Sequence, residues 1–170
     1  MKKSIFWILC YCLFACKAEV QYQPQTINQL YSVVLPSYMV ATKSLNDEAS
    51  LQYQATEKEF YIVILDEPKS NIAAENNLRL HYDDTILKVS NTGLANPKVK
   101  AANAIKINGL DGLQTEVVGS FKNLQVFYLV TVLESNSHYY QILTWTLDNN
   151  RQKIEPEMRK ILDSFKQIKS

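Results

Sequence analysis

Cysteine stops at position 16. All three cysteines of this 170-residue chain, Cys10, Cys12 and Cys16, fall within the stretch ILCYCLFACKAEV. With no later partner they cannot form a disulfide framework. They also lack a fourth ligand for a structural zinc site, since the two histidines lie far away at His81 and His138. Glycine and proline are scarce, four and five in all, which argues against long disordered or fibrous segments. An excess of charge is missing too: the formal net charge is +1, or −1 once Lys2 and Lys3 leave with a leader. Nucleic-acid binding would need clustered Lys and Arg, and anionic lipid would need a basic face; neither is expected. No phosphate loop, dinucleotide fingerprint, EF-hand loop or G-x-S-x-G elbow occurs, and no cofactor is implied.

The amino terminus carries an address. Lys2 and Lys3 precede an apolar run from Ile5 to Ala15, which has the layout of a bacterial secretory signal. Eleven residues are too few for a membrane-spanning helix, which needs about 20. Leu13-Phe14-Ala15-Cys16 resembles the lipobox of bacterial lipoproteins, with Phe14 bulkier than that slot usually holds. The resemblance implies cleavage before Cys16, lipidation of Cys16 and loss of Cys10 and Cys12. The chain then divides into a signal peptide (1–15), a polar tether (16–28) and one domain (29–168). A plain signal peptide cut after Ala18 is the competing expectation, giving a soluble secreted protein. One acyl chain holds a protein reversibly and two hold it stably. The mature domain would then lack thiols and fold unharmed outside the reducing cytoplasm.

Hydrophobic periodicity supplies the elements. YSVVLP (31–36), residues 50–55 and EFYIVILDEP (59–68) read as strands, the last with both faces covered. The spacing of Ala74, Leu78, Tyr82, Ile86 and Val89 predicts a helix over 71–91. Ser70 or Asn71 would cap it, Gly93 would end it, and Leu80 and Leu87 would widen its apolar face. Strands are expected at about 99–107, 113–120, 124–134 and 138–147, with links short enough to require antiparallel neighbours. In HYYQILTWTL, Tyr139, Gln141, Leu143, Trp145 and Leu147 share one face. A closing helix over 152–167 carries Met158, Ile161, Leu162, Phe165 and Ile168, with Pro156 in its first turn. The order βββαββββα is that of an α+β fold, an antiparallel β-sheet flanked by helices.

With YSVVLP, LQYQATEKEFYIVILDEP, INGLDGLQTEVVG, HYYQILTWT and ILDSFK in that order, the chain resembles the Mog1/PsbP-like fold, an α/β/α sandwich, over residues 29–168. That fold includes the extrinsic PsbP subunit of photosystem II and a regulator of the GTPase Ran. The resemblance implies a binding or accessory module rather than an enzyme, and it carries over no site residue.

Chemistry-bearing residues are few. Ser137-His138 with Asp66 or Asp84 sketches a hydrolase triad, but a serine in a hairpin turn beside a strand-starting histidine is ordinarily local hydrogen bonding. His81 has Thr85, not a ligand, one helical turn on. Tyr53, Tyr61, Tyr128, Tyr139 and Tyr140 lie in expected strands, where aromatics suit the sheet, while a cluster on an uncovered face would make a binding patch. The expectation is a non-enzymatic accessory or binding domain of the bacterial cell envelope. Cys16 is its lipidation site, its partners are the membrane through that anchor and an unidentified protein, and it has no metal site. An enzyme assembled from Asp66, His81 and His138 is the alternative.

Overall fold

The computed structural model describes residues 19–73 and 75–168, so Cys16, the leader and Ala74 lie outside the described residues. The strands are β1 (Tyr22–Ile27), β2 (Tyr31–Pro36), β3 (Val40–Ala41), β4 (Leu51–Ala55), β5 (Phe60–Pro68), β6 (Ala95–Val99), β7 (Asn103–Ile107), β8 (Leu110–Phe121), β9 (Leu124–Glu134), β10 (His138–Leu147) and β11 (Lys166–Gln167). Helix α1 (Leu78–Asn91) follows β5, and α2 (Arg151–Asp163) follows β10. The main sheet runs β3-β4-β5-β10-β9-β8, with β6 and β7 both paired to β8; a small sheet runs β1-β2-β11. Every pairing is antiparallel. The architecture is α+β, as the element order predicts.

Alternation along β10 divides the main sheet into two unlike faces. Tyr140 and Ile142 point to the same side as Ile62 and Ile64 of β5 and Leu129 and Leu133 of β9, and all are buried. Over them lie Ile154, Met158, Ile161 and Leu162 of α2 and Tyr31, Val33 and Leu35 of β2, forming one continuous core. Three rings lock these layers: Phe165 lies 5.2 Å from Tyr31 and 5.0 Å from Tyr140, and Tyr31 lies 5.7 Å from Tyr140, centroid to centroid. Asn108 Nδ2 donates to the carbonyls of Asp163 and Phe165, tying the β7–β8 turn to the end of α2. The opposite face carries α1, whose Val89 joins Leu94, Val117 and Val130 in a smaller apolar cluster.

Several boundaries differ from expectation for identifiable reasons. Helix α1 starts at Leu78, because the Asn77 side chain accepts from the amides of Arg79 and Leu80; upstream, only a single tight turn spans Lys69–Asn71. Its inward residues are His81, Tyr82, Thr85 and Val89, while Leu80 and Leu87 are 50% and 59% exposed. Tyr82, Ile86 and Val89 of the expected stripe do face the sheet; the face is widened by His81 and Thr85 rather than by Leu80 and Leu87. Gly93, at φ +89°, follows the helix as expected. The strand expected over 99–107 is two strands, separated where the Lys100 amide bonds Glu116 O. Helix α2 stops at Asp163, so Phe165 lies beyond it, and Pro156 sits mid-helix rather than in the first turn. Tyr22–Ile27, expected within the tether, pair with β2. Strand β5 is covered on both faces only at its centre: Phe60, Ile62 and Ile64 are buried on one side and Val63 on the other, where its neighbours Tyr61 and Leu65 are half-buried.

Candidate functional site: an aromatic cleft on the helix α1 face

Helix α1 covers only part of its face of the sheet. Where it ends, Trp145 of β10 stands directly opposite Tyr61 of β5 on one side and Tyr128 of β9 on the other. The three rings stack across the strands, with centroids 5.3 Å apart at 13° for Tyr61–Trp145 and 5.5 Å apart at 22° for Trp145–Tyr128. Such cross-strand aromatic pairs hold a sheet together, but here all three remain half-buried. They floor an open cleft of about 560 Å³. Its walls are the end of α1 (Val89, Thr92), the segment before β4 (Ser44–Asn46) and the β8–β9 hairpin tip. At that tip Phe121 is 41% and Leu124 54% exposed. Volumes of this order suit small-molecule sites.

Two groups of the cleft hold protons tightly. Burial pushes the Tyr61 hydroxyl up to about 12, helped by its hydrogen bond to Glu59 Oε2 at 2.8 Å. Burial alone pushes Tyr128 up to about 12; its hydroxyl has no hydrogen-bond partner among the described residues. Both tyrosines are therefore neutral donors at physiological pH. The charged lining consists of Glu59 and Lys122, one of each sign.

A second, more polar cleft of about 350 Å³ continues along α1, sharing Asn46, Val89, Thr92 and Leu143 with the first. At this end His81 is 3% exposed. Its ring stacks on Tyr139 at 4.5 Å, its Nε2 lies 3.0 Å from Gln141 Nε2, and Glu67 Oε2 is 3.7 Å away. A side-chain amide nitrogen only donates, so it requires an unprotonated Nε2. Burial accordingly holds the imidazole below its usual range, although the Glu67 carboxylate pulls the other way.

The scattered enzyme candidates do not meet. Asp66 pairs with Tyr140, and His138 stacks over Tyr140 at 5.9 Å, both on the α2 side of the sheet. His81 stacks on Tyr139, on the opposite side. Asp84 is engaged with Lys88 at 2.8 Å. Ser137 Oγ lies 2.9 Å from its neighbour His138 Nδ1, the local contact of a turn. Among the described residues no three His, Cys, Asp or Glu side chains gather as a metal site, and no helix is long and apolar enough to cross a membrane.

No protein-family model matches the sequence, and none of the curated proteins matches it. Solved structures do. The solution structure of cyanobacterial PsbP (CyanoP) from Synechocystis sp. PCC 6803 superposes with a TM-score of 0.66 at 13% identity, covering 94% of this chain and 98% of that one. The Saccharomyces cerevisiae Ran-binding protein Mog1p gives 0.61 at 9% identity, over 88% and 97%. The chain has the Mog1/PsbP-like fold. A third protein with this fold is LpqN of Mycobacterium tuberculosis, described as involved in cell envelope biogenesis, at 0.64 and 10% identity over 88% and 92%. At such identities the likeness concerns the backbone, and the residues of the aromatic cleft stand on this chain's own geometry.

Trp145 was legible as a strand residue but not as part of a site. Its alternation partners could be read from HYYQILTWTL, yet the alignment of Tyr61, Trp145 and Tyr128 depends on the register of three strands.

Proposed function

We propose that this protein is a lipid-anchored, non-enzymatic accessory module of the bacterial cell envelope, and that it binds its partner or ligand in the aromatic cleft. The observation that carries the binding role is the Tyr61–Trp145–Tyr128 ladder. Three large rings stand half-buried together beyond the end of α1, a contiguous apolar and aromatic patch of the kind that marks binding surfaces. The envelope assignment rests on the leader and on Cys16 within Leu13-Phe14-Ala15-Cys16. The envelope role described for LpqN, a protein of the same fold, agrees with it. Strand β1 belongs to the α2 side of the molecule, where Lys160 lies over the Tyr22 ring at 3.7 Å. The chain therefore enters β1 on the side opposite the cleft.

Metabolic labelling with radioactive palmitate tests the anchor. The natural protein is expected to incorporate label and fractionate with membranes, and Cys16→Ser to lose both. A Cys16→Ser protein that keeps its label and its membrane fraction overturns the anchor. Affinity capture from native membranes tests the binding role: Trp145→Ala is expected to release what the natural protein retains, and an unchanged set of captured molecules overturns it.

A further inference from the structure

The end at which the chain enters the fold is fixed by backbone pairing. The Ser37 amide donates to the Gln21 carbonyl at 2.8 Å, and Tyr22 pairs with Pro36. A few residues on, Val40 pairs with Gln54, beside Ala55, which faces Phe60 across the β4–β5 turn. Lys58 of that turn lies over the Tyr38 ring at 4.4 Å. Tyr61, next along β5, stands level with Trp145 and Tyr128, and beyond that level the β8–β9 hairpin closes between Phe121 and Leu124. Although β1 lies on the face opposite the cleft, its first residue therefore sits at the end of the molecule where this hairpin turns. The hairpin overhangs that end. Val126 is its last residue paired with β10, and Leu124 stands two residues, about 7 Å, further out. Lys122 and Asn123, at φ +48° and +67°, make the tight turn between the strands. Phe121 and Leu124 flank it, both exposed, and Lys122 Nζ lies over the Phe121 ring at 5.3 Å.

We infer that this hairpin tip rests in the surface of the bilayer that holds the Cys16 anchor, with Phe121 and Leu124 entering the lipid interface. This rests on lipidation of Cys16 and adds the orientation of the domain. Gln21 is five residues after Cys16, a reach of at most about 18 Å. The entry end of the domain is thus held close to the bilayer, and the overhanging tip lies at the same end. Two apolar side chains at a turn are too small a patch for a stable protein interface, which takes about 800 Å² from each partner. A lipid interface needs no matching shape. So small a contact would hold a free domain weakly, but a short tether raises the effective concentration to the order of millimolar, so a weak contact suffices to orient the domain. Lys122 lays its stem along the Phe121 ring and keeps its ammonium among the headgroups. Lys58 and Lys122 at this end are offset by Glu57 and Glu59, so the contact is apolar and needs no anionic lipid.

Depth quenching reads the contact. With Cys16 lipidated and Cys10 and Cys12 lost with the leader, the mature protein has no free thiol, so one introduced cysteine takes a fluorescent label selectively. Gln125→Cys places the label beside the tip and keeps Phe121 and Leu124; Asn136→Cys places it in the exposed β9–β10 turn at the other end of the sheet. Each labelled, lipidated protein is reconstituted into phosphatidylcholine vesicles with and without nitroxide-bearing phosphatidylcholine. The label at position 125 is expected to be quenched and that at position 136 not. Adding Phe121→Ser and Leu124→Ser to Gln125→Cys should lower the ratio of docked to undocked protein at least about tenfold, read as loss of most of the quenching. The two labels report without that variant, so its poor folding would leave their comparison intact. The docking is overturned by an unquenched label at position 125, by equal quenching at both positions, or by quenching that survives the two serines. If palmitate is incorporated and any of these occurs, the anchor stands and the docking falls. If the natural protein takes up no palmitate and leaves the vesicles, both fall.

Discussion

Replacing Phe165 by alanine should loosen the packing of α2 and the small sheet on the main sheet. Phe165 is 0% exposed and follows α2 immediately before β11. Its ring is the one group that touches both Tyr31 of the small sheet and Tyr140 of the main sheet from this segment. Phe→Ala changes in a core cost about 3–5 kcal/mol, because the apolar transfer energy is lost and a cavity remains. The upper part of that range is expected here, since the surrounding rings of Tyr31 and Tyr140 are too rigid to collapse into the space. Against a total of about 5–15 kcal/mol this is a large fraction. At about 2–4 °C per kcal/mol for a chain of this size, a loss of about 4–5 kcal/mol should lower the melting temperature by roughly 8–20 °C. Urea unfolding followed by circular dichroism measures the loss, and the slope of the transition should stay constant because the same surface is exposed. Phe165→Leu keeps an apolar group and should lose about half as much. A loss under about 1.5 kcal/mol for Phe165→Ala would refute the view that this triangle clamps helix, small sheet and main sheet together.

Three further outcomes are expected. The folded-state affinity of His81 for a proton is depressed below that of the unfolded chain, so its contribution to stability is complete above the unfolded value of about 6.5 and is lost as pH falls below it. Urea midpoints at pH 8 and pH 5.5 should therefore differ in the natural protein and less in His81→Gln; an equal difference in both rejects the assignment. The groups facing this imidazole are Glu67 from β5, Gln141 and Tyr139 from β10, and Asp84 and Lys88 from its own helix. Asn77→Ala removes the acceptor for two amides at the start of α1 and should cost about 0.5–2 kcal/mol, with hydrogen exchange rising first at Arg79 and Leu80; unchanged exchange there would count against the cap. A Cβ at Gly112 would come within 2.6 Å of Leu133 Cδ2 and 2.7 Å of the Val132 carbonyl oxygen. Because the backbone oxygen is fixed by the β8–β9 pairing, Gly112→Ala should cost about 1–3 kcal/mol, and a neutral thermal melt would contradict that contact.

Much of the fold was legible along the chain. Strands β2, β9 and β10 follow from runs of β-branched and aromatic residues bounded by turn residues. Short links forced antiparallel neighbours. Legibility failed where partners distant in sequence decide a residue's state. Tyr22–Ile27 is largely polar with no buried residue, and becomes a strand because β2 offers an edge to pair with. Lys166–Gln167 is a strand for the same reason. Leu80 and Leu87 were expected to widen the apolar face of α1, but the sheet beneath meets it with Gln141, and the buried side chain at that point is His81, with both leucines in solvent.

The sequence by itself determined the α+β composition, the antiparallel pairing, the alternation that puts Trp145 on one face of its strand, and the expectation of lipidation at Cys16. Only the tertiary structure decided that Tyr61, Trp145 and Tyr128 form one ladder, that α1 stops short of them, and that Asp66 and His138 lie across the sheet from His81. The reason is that periodicity assigns a side chain to a face within its own element. Which side chains from different elements meet depends on strand register and on where a helix is capped, and both are set by contacts between residues far apart in the chain.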